Sequence, residues 1–188
     1  HRAGPALEIG LDLGPVEIAV RHTSRIPQAK GMASSTADIV AAVRALASAA
    51  GATLDPRAQA RLAASIEPSD GIMWDGVVAV DHHSGELIRR WDWSPRFTIA
   101  MFVPVASRDT TWTDPAPDES HVTHHGLLSE LDLAFTRRDL AAVAALSTRS
   151  AELNERLVRN PLLPTLGPVW RSAGALGLCV GHSGTVCG

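Results

Sequence analysis

Pro27-Gln28-Ala29-Lys30-Gly31-Met32-Ala33-Ser34-Ser35-Thr36 is the most unusual stretch of this 188-residue chain. It joins a glycine and small residues to three consecutive hydroxyl side chains. From about Ser35 to Ala50, Ile39, Val43 and Leu46 recur at three- and four-residue spacing, which predicts a helix with Gly51 at its C-terminal cap. The N-terminus of a helix offers unpaired backbone N–H groups and the positive end of the dipole. Small side chains let phosphate oxygens approach those donors. The hydroxyls of Ser34, Ser35 or Thr36 can bind phosphate or Mg²⁺. A Ser cap on an ordinary helix accounts for the same residues, and both readings stand at this point. The Gly-x-x-x-x-Gly-Lys-Ser/Thr and Gly-x-Gly-x-x-Gly patterns are absent, so a nucleotide held here is held in another fold. Lys30 is the only lysine beside 16 arginines. With the many alanines, this bias looks like the codon usage of a GC-rich genome. A lysine that survives such drift points to a local need, the plain alternative being a surface lysine left by chance.

On the N-terminal side of the quoted stretch, Leu7–Leu13 and Val16–Ser24 read as strands joined by the Gly14-Pro15 turn. On its C-terminal side, Asp55 and Pro56 open a second helix that runs to about Ile66. Val77–Asp81 and Leu87–Trp91 form a hairpin around Ser84-Gly85. Phe97–Val105 is the most apolar strand candidate, and residues 107–124 read as a polar loop. Leu127–Phe135, Leu140–Val158 and Val169–Leu176 are helical by pattern, with Asp139 as a cap. Leu178–Val180 is a short strand before the loop His182-Ser183-Gly184-Thr185. Strands and helices mix without regular alternation, which favours an α+β fold.

Hydrophobic residues make up 45% of the chain and charged residues 20%, so it is neither disordered nor fibrous. No apolar run reaches the ~18 residues of a membrane span, and no signal segment opens the chain. A net charge of −3 gives no reason to expect nucleic acid as the main partner. Two cysteines, Cys179 and Cys187, cannot staple a chain of this length, and a reducing cytoplasm is the simplest compartment.

The residues now carry a resemblance. Pro27-x-x-Lys30-Gly31-Met32-Ala33-Ser34-Ser35-Thr36-Ala37-Asp38 resembles the second motif of the GHMP kinases, the superfamily of galactokinase, homoserine kinase and mevalonate kinase. Its wording is most similar to the L-threonine kinase branch, associated with cobalamin synthesis and propanediol utilisation. Ile66-Glu67-Pro68-Ser69-Asp70-Gly71, Ser150-x-x-x-Asn154 and Gly177–Val186 fit that branch in order. The last resembles the third motif, which packs beside the phosphate loop. The resemblance implies a GHMP-kinase-like two-layer sandwich. It splits here into residues 1–90, the remainder of a nucleotide-binding domain, and residues 91–188, a truncated ferredoxin-like domain. It also implies roughly twofold greater length, with a first motif before His1 and further strands after Gly188. The chain is therefore expected to be incomplete at both ends, which puts the activity of this stretch alone in question.

By the same resemblance, ATP would sit on Lys30, Gly31, Met32, Ala33, Ser34, Ser35, Thr36, Ser183 and Gly184, with Mg²⁺ on Ser35 and Glu67. Lys30 would neutralise phosphate charge. Asp70 would accept or orient the substrate hydroxyl proton, with Asp75 as its rival. Asp109, Thr110 and His182 are the candidates for holding the acceptor. The implied reaction moves the γ-phosphoryl group of ATP to a side-chain hydroxyl, turning L-threonine into O-phospho-L-threonine. Homoserine or another amino alcohol is the alternative acceptor. A nucleotide-binding homologue without turnover is the non-enzymatic alternative, and the intact Ser34, Ser35, Glu67 and Asp70 argue against it. The partners are a small-molecule substrate and no nucleic acid or membrane, with room for a homodimer. His121, His124 and His125 have a spacing that shares a helix face, yet a solvated loop explains them better. Cys179 and Cys187 read as small packed residues, and the five tryptophans, Trp91 and Trp93 among them, as core or interface.

Overall fold

The computed structural model describes residues 19–105, 118–181 and 183–188, with the backbone alone over 118–125. Helix α1, Ser34–Ala49, buries Thr36, Val40, Val43 and Ala47, a single stripe at helical spacing. Gly51 follows it at φ +69°, the left-handed conformation that ends helices. Helix α2, Pro56–Ile66, starts as its sequence dictates: Asp55 accepts from the Ala58 amide at 2.8 Å. Gln59 ties the two together. Its amide donates to the Leu54 carbonyl at 2.6 Å, and its oxygen accepts from Arg44 at 2.8 Å. Between the helices Val40, Ala60, Ala63 and Met73 form a small core.

Strands β1, Val77–Val80, and β2, Leu87–Trp91, pair antiparallel from Val77↔Trp91 to Val80↔Leu87, with one irregularity at Ala79/Val80. The turn between them is built on Asp81, whose carboxylate accepts from the amides of His83 at 2.9 Å and Ser84 at 3.2 Å. Those two donors hold the Asp81 carboxyl below its ordinary range. A depressed pKa stabilises the fold above the unfolded-state value and loses that contribution as pH falls through the folded value. Asp81→Ala should therefore destabilise by ~0.5–1 kcal/mol at neutral pH, solvent screening included. Urea unfolding of both proteins should show the difference shrinking towards acid; a gap independent of pH would refute the assignment.

The hairpin docks on helix α3, Asp118–Arg137, through its last residue. The Trp91 ring lies 4.6 Å from the Phe135 ring, and its indole N–H donates to Asp132 at 2.9 Å. Arg89 grips the same carboxylate with two bonds of 2.8 and 3.0 Å. Helix α4, Leu140–Asn154, capped by Asp139, completes this core with Val143 and Leu146. After the short helix α5, Leu163–Leu166, the chain turns back so that Val180 and Phe102 both bridge to Cys187. Leu178 and Cys187 pack on Ala151 of α4. The architecture is α+β, with a small antiparallel sheet among helices. Among the described residues, no helix is long and apolar enough to cross a membrane.

Six expectations need correction or fall wholly or partly outside this view. The Leu7–Leu13 strand lies outside the described residues, and residues 19–24 of the expected second strand are irregular, with Val20 69% exposed. Among the described residues, Phe97–Val105 makes one bridge, at Phe102, rather than a strand, since apolar composition alone supplies no partner ladder. The expected loop 107–124 becomes helix from Asp118 onward; Asp118 and Glu119 suit the positive helix end, and the polar face hid the periodicity. His121, His124 and His125 thus lie on α3, with their side chains outside the described residues. Helix α4 stops at Asn154 rather than Val158, and residues 169–174 form turns, with Gly174 at φ +75°.

Candidate functional site

The chain enters α1 through an alternation of left-handed residues: Ala29 at φ +56°, Gly31 at +79° and Ala33 at +53°. Only glycine takes this conformation freely, so the two alanines each store on the order of 1–2 kcal/mol of strain. Alternating backbone hand turns successive N–H groups towards one side, the geometry of an anion-binding nest. Ala33 occupies the cap position, and no side chain caps the helix there. That removes the ordinary Ser-cap explanation of Ser34 and Ser35. The first-turn donors of α1 are left for another acceptor.

Two segments remote in sequence close on this entrance. From the acidic turn after α2, Glu67 accepts a hydrogen bond from the Ser35 hydroxyl, and the Asp70 amide donates to the Thr36 hydroxyl at 3.2 Å. Ser69, buried between them, donates its amide to His82 O at 2.9 Å and its hydroxyl to Glu67 O at 2.9 Å. The turn is thereby pinned both to α1 and to the hairpin. The second segment is Gly181–Val186, about 150 residues away. Thr185 and Val186 both donate to the Lys30 carbonyl at 3.0 Å. The approach requires glycine on both sides. A Cβ on Gly31 would lie 2.8 Å from Gly184 Cα, and one on Gly181 would lie 2.7 Å from Gly31 O.

The structure thus gathers the loop 30–36, Glu67, Asp70 and the turn at Gly184 around the start of α1. Ser183 is exposed beside that turn, and Asp70 is exposed at the rim. Asp109, Thr110 and His182 lie outside the described residues. Lys30 reaches a further segment. It is buried, and its ammonium donates to Pro104 O at 2.8 Å and Val105 O at 2.9 Å. A residue that sequence reasoning missed is Asn160, 2% exposed, whose amide donates to Val186 O at 3.1 Å. Its oxygen accepts from the Leu162 amide at 2.9 Å. The Asn160-Pro161 pair was the available signal, a turn-forming dipeptide after a helix. Burial pushes the thiols of Cys179 and Cys187 above their ordinary pKa, so both stay protonated and unreactive at neutral pH.

Residues 4–78 match the GHMP kinases N terminal domain. This stretch is thus similar to the N-terminal part of the GHMP kinases. The chain is 30% identical over 178 residues to an L-threonine kinase of Salmonella typhimurium, covering 92% of this chain and 59% of that protein. It is 28% identical over 183 residues to an L-threonine kinase of Citrobacter freundii, covering 92% of this chain and 62% of that one. The chain therefore spans about three fifths of the length of these relatives. Among solved structures it is similar to a proposed homoserine kinase of Listeria monocytogenes, with a TM-score of 0.61, 22% identity, and coverage of 88% of this chain and 59% of that one. This last likeness is one of fold.

Proposed function

We propose that the chain carries the phosphate-binding part of an ATP-dependent kinase that phosphorylates a side-chain hydroxyl, with L-threonine as acceptor and O-phospho-L-threonine as product. The observation that supports this most is the contact of Ser35 with Glu67 at the uncapped start of α1. A hydroxyl and a carboxylate from separate elements form a set of hard oxygen donors, the kind Mg²⁺ takes alongside phosphate oxygens. Ser35 and Glu67 would hold the ion, which supplies charge neutralisation when bound. The amides of the 30–36 loop and the turn at Ser183-Gly184 would cradle the phosphates; one helix end neutralises only about half a charge, so a second donor loop is needed. Asp70 would take the proton of the acceptor hydroxyl. Asp109, Thr110 and His182 remain our candidates for the acceptor's polar groups. L-Threonine is favoured by the names of the two sequence relatives. A cytoplasmic reaction in cobalamin-linked metabolism belongs to the same reading.

The test is ADP release from MgATP with L-threonine, with homoserine and serine as competing acceptors. L-Threonine should give the highest kcat/KM. Turnover only with an unrelated alcohol would remove the L-threonine assignment and keep the kinase. No ADP from any acceptor, together with no MgATP binding, would remove the kinase as well.

A further inference from the structure

We propose that Lys30 is a positioning residue that locks the phosphate loop to residues 102–105, and that its ammonium does not contact phosphate. The proposal rests on the kinase reading above. Three contacts form a closed triangle. The Lys30 carbonyl accepts from Thr185 and Val186, Cys187 exchanges two backbone bonds of 2.7 and 3.1 Å with Phe102, and the Lys30 ammonium returns to Pro104 and Val105. Two sides of the triangle are backbone on backbone. The third is the one side chain, and it spans 74 and 75 residues of sequence.

The chemistry favours a fixed ammonium over a free one. Lys30 is 8% exposed, and a buried cation needs acceptors at hydrogen-bond distance. Two carbonyl oxygens at 2.8 and 2.9 Å supply them. To reach a phosphate, the ammonium would have to give up both of these bonds. The loop it holds is the strained one, with left-handed Ala29 and Gly31 on either side of Lys30. Such a conformation persists only where neighbours over-determine it. The segment it is held to continues from Val105 towards Asp109-Thr110, the acceptor candidates.

Because Lys30 is the only lysine, its reactivity can be read directly. An amine-acylating reagent is applied to the wild-type protein, and modification of the Lys30 peptide is followed by mass spectrometry. The expected rate is at least ~10-fold below that of free Nα-acetyl-lysine, since the amine reacts only on local opening. MgATP should leave it within about twofold, since the lock is already made. Fast labelling without nucleotide that MgATP suppresses would overturn the proposal and place the ammonium on phosphate. The second arm is Lys30→Met. It should lower kcat/KM by ~10²-fold for both ATP and acceptor, since a small misplacement at a reacting site costs that much. An unchanged KM for the acceptor with a raised KM for ATP would overturn it too. Should Lys30→Met fail to fold, the labelling arm still decides. Wild-type protein that neither binds MgATP nor turns over would sink the kinase reading, whereas the nucleotide-free labelling rate judges the lock by itself.

Discussion

Asp70→Asn should lower kcat by roughly 10²–10⁴-fold and leave MgATP affinity within about twofold. The asymmetry follows from where the residue sits. Its backbone amide is tied to the Thr36 hydroxyl at 3.2 Å, while its side chain stands exposed at the rim. Asparagine keeps the shape and the backbone tie but cannot accept a proton. A group that takes the hydroxyl proton acts chiefly in the transition state, so its loss appears in kcat. Ser35, which touches Glu67, belongs to the ground-state complex as well, and its loss should appear in nucleotide affinity. Steady-state kinetics with L-threonine and titration calorimetry with MgATP separate the two. If Asp75→Asn shows the large kcat loss and Asp70→Asn resembles wild type, the base is Asp75.

Gly184→Ala should cost ~1–3 kcal/mol of stability and lower kcat/KM for ATP by ~10²-fold. A Cβ at this position overlaps the Lys30 carbonyl oxygen and the Gly31 nitrogen. Those atoms are backbone, so no side-chain end can swing aside. The phosphate loop itself must shift. Gly51→Ala is the matched control. Gly51 lies at φ +69° with open space around its Cβ position, so the change strains backbone locally and should leave kcat/KM near wild type. Equal kinetic losses in the two variants would show that the close approach of the loops has no bearing on nucleotide binding.

Legibility in the sequence followed the range of the forces involved. Helix α2 appears from cap to last turn because Asp55 and Pro56 act on neighbouring residues. Helix α1 and the hairpin are legible for the same reason: period and turn chemistry are local. The Phe97–Val105 segment failed because apolar composition reports a wish for burial, while a strand also requires a partner. The pairing of Ser35 with Glu67, which we propose holds the ion, could be named only through family resemblance, since 32 residues separate them. Their contact, and the amide tie of Asp70 to Thr36, are properties of the folded chain. Lys30 shows the limit most clearly. Its singularity marked it as important, but nothing local revealed that its charge faces two carbonyls beyond residue 100.

The bonds from Thr185 and Val186 to Lys30 join nearly opposite ends of the described chain. Closing so long a loop is entropically costly and comes late, after the local helices and the hairpin have formed. At ribosomal speeds of ~5–20 residues per second, residue 186 emerges on the order of 10 s after residue 30. Throughout that interval the left-handed Ala29 and Ala33 have no glycine turn to hold them. The phosphate loop and the glycine turn thus come together only after the helices and hairpin between them have been made. A nucleotide that binds only the finished loop would favour the completed chain by mass action, acting as a chaperone for the site it occupies.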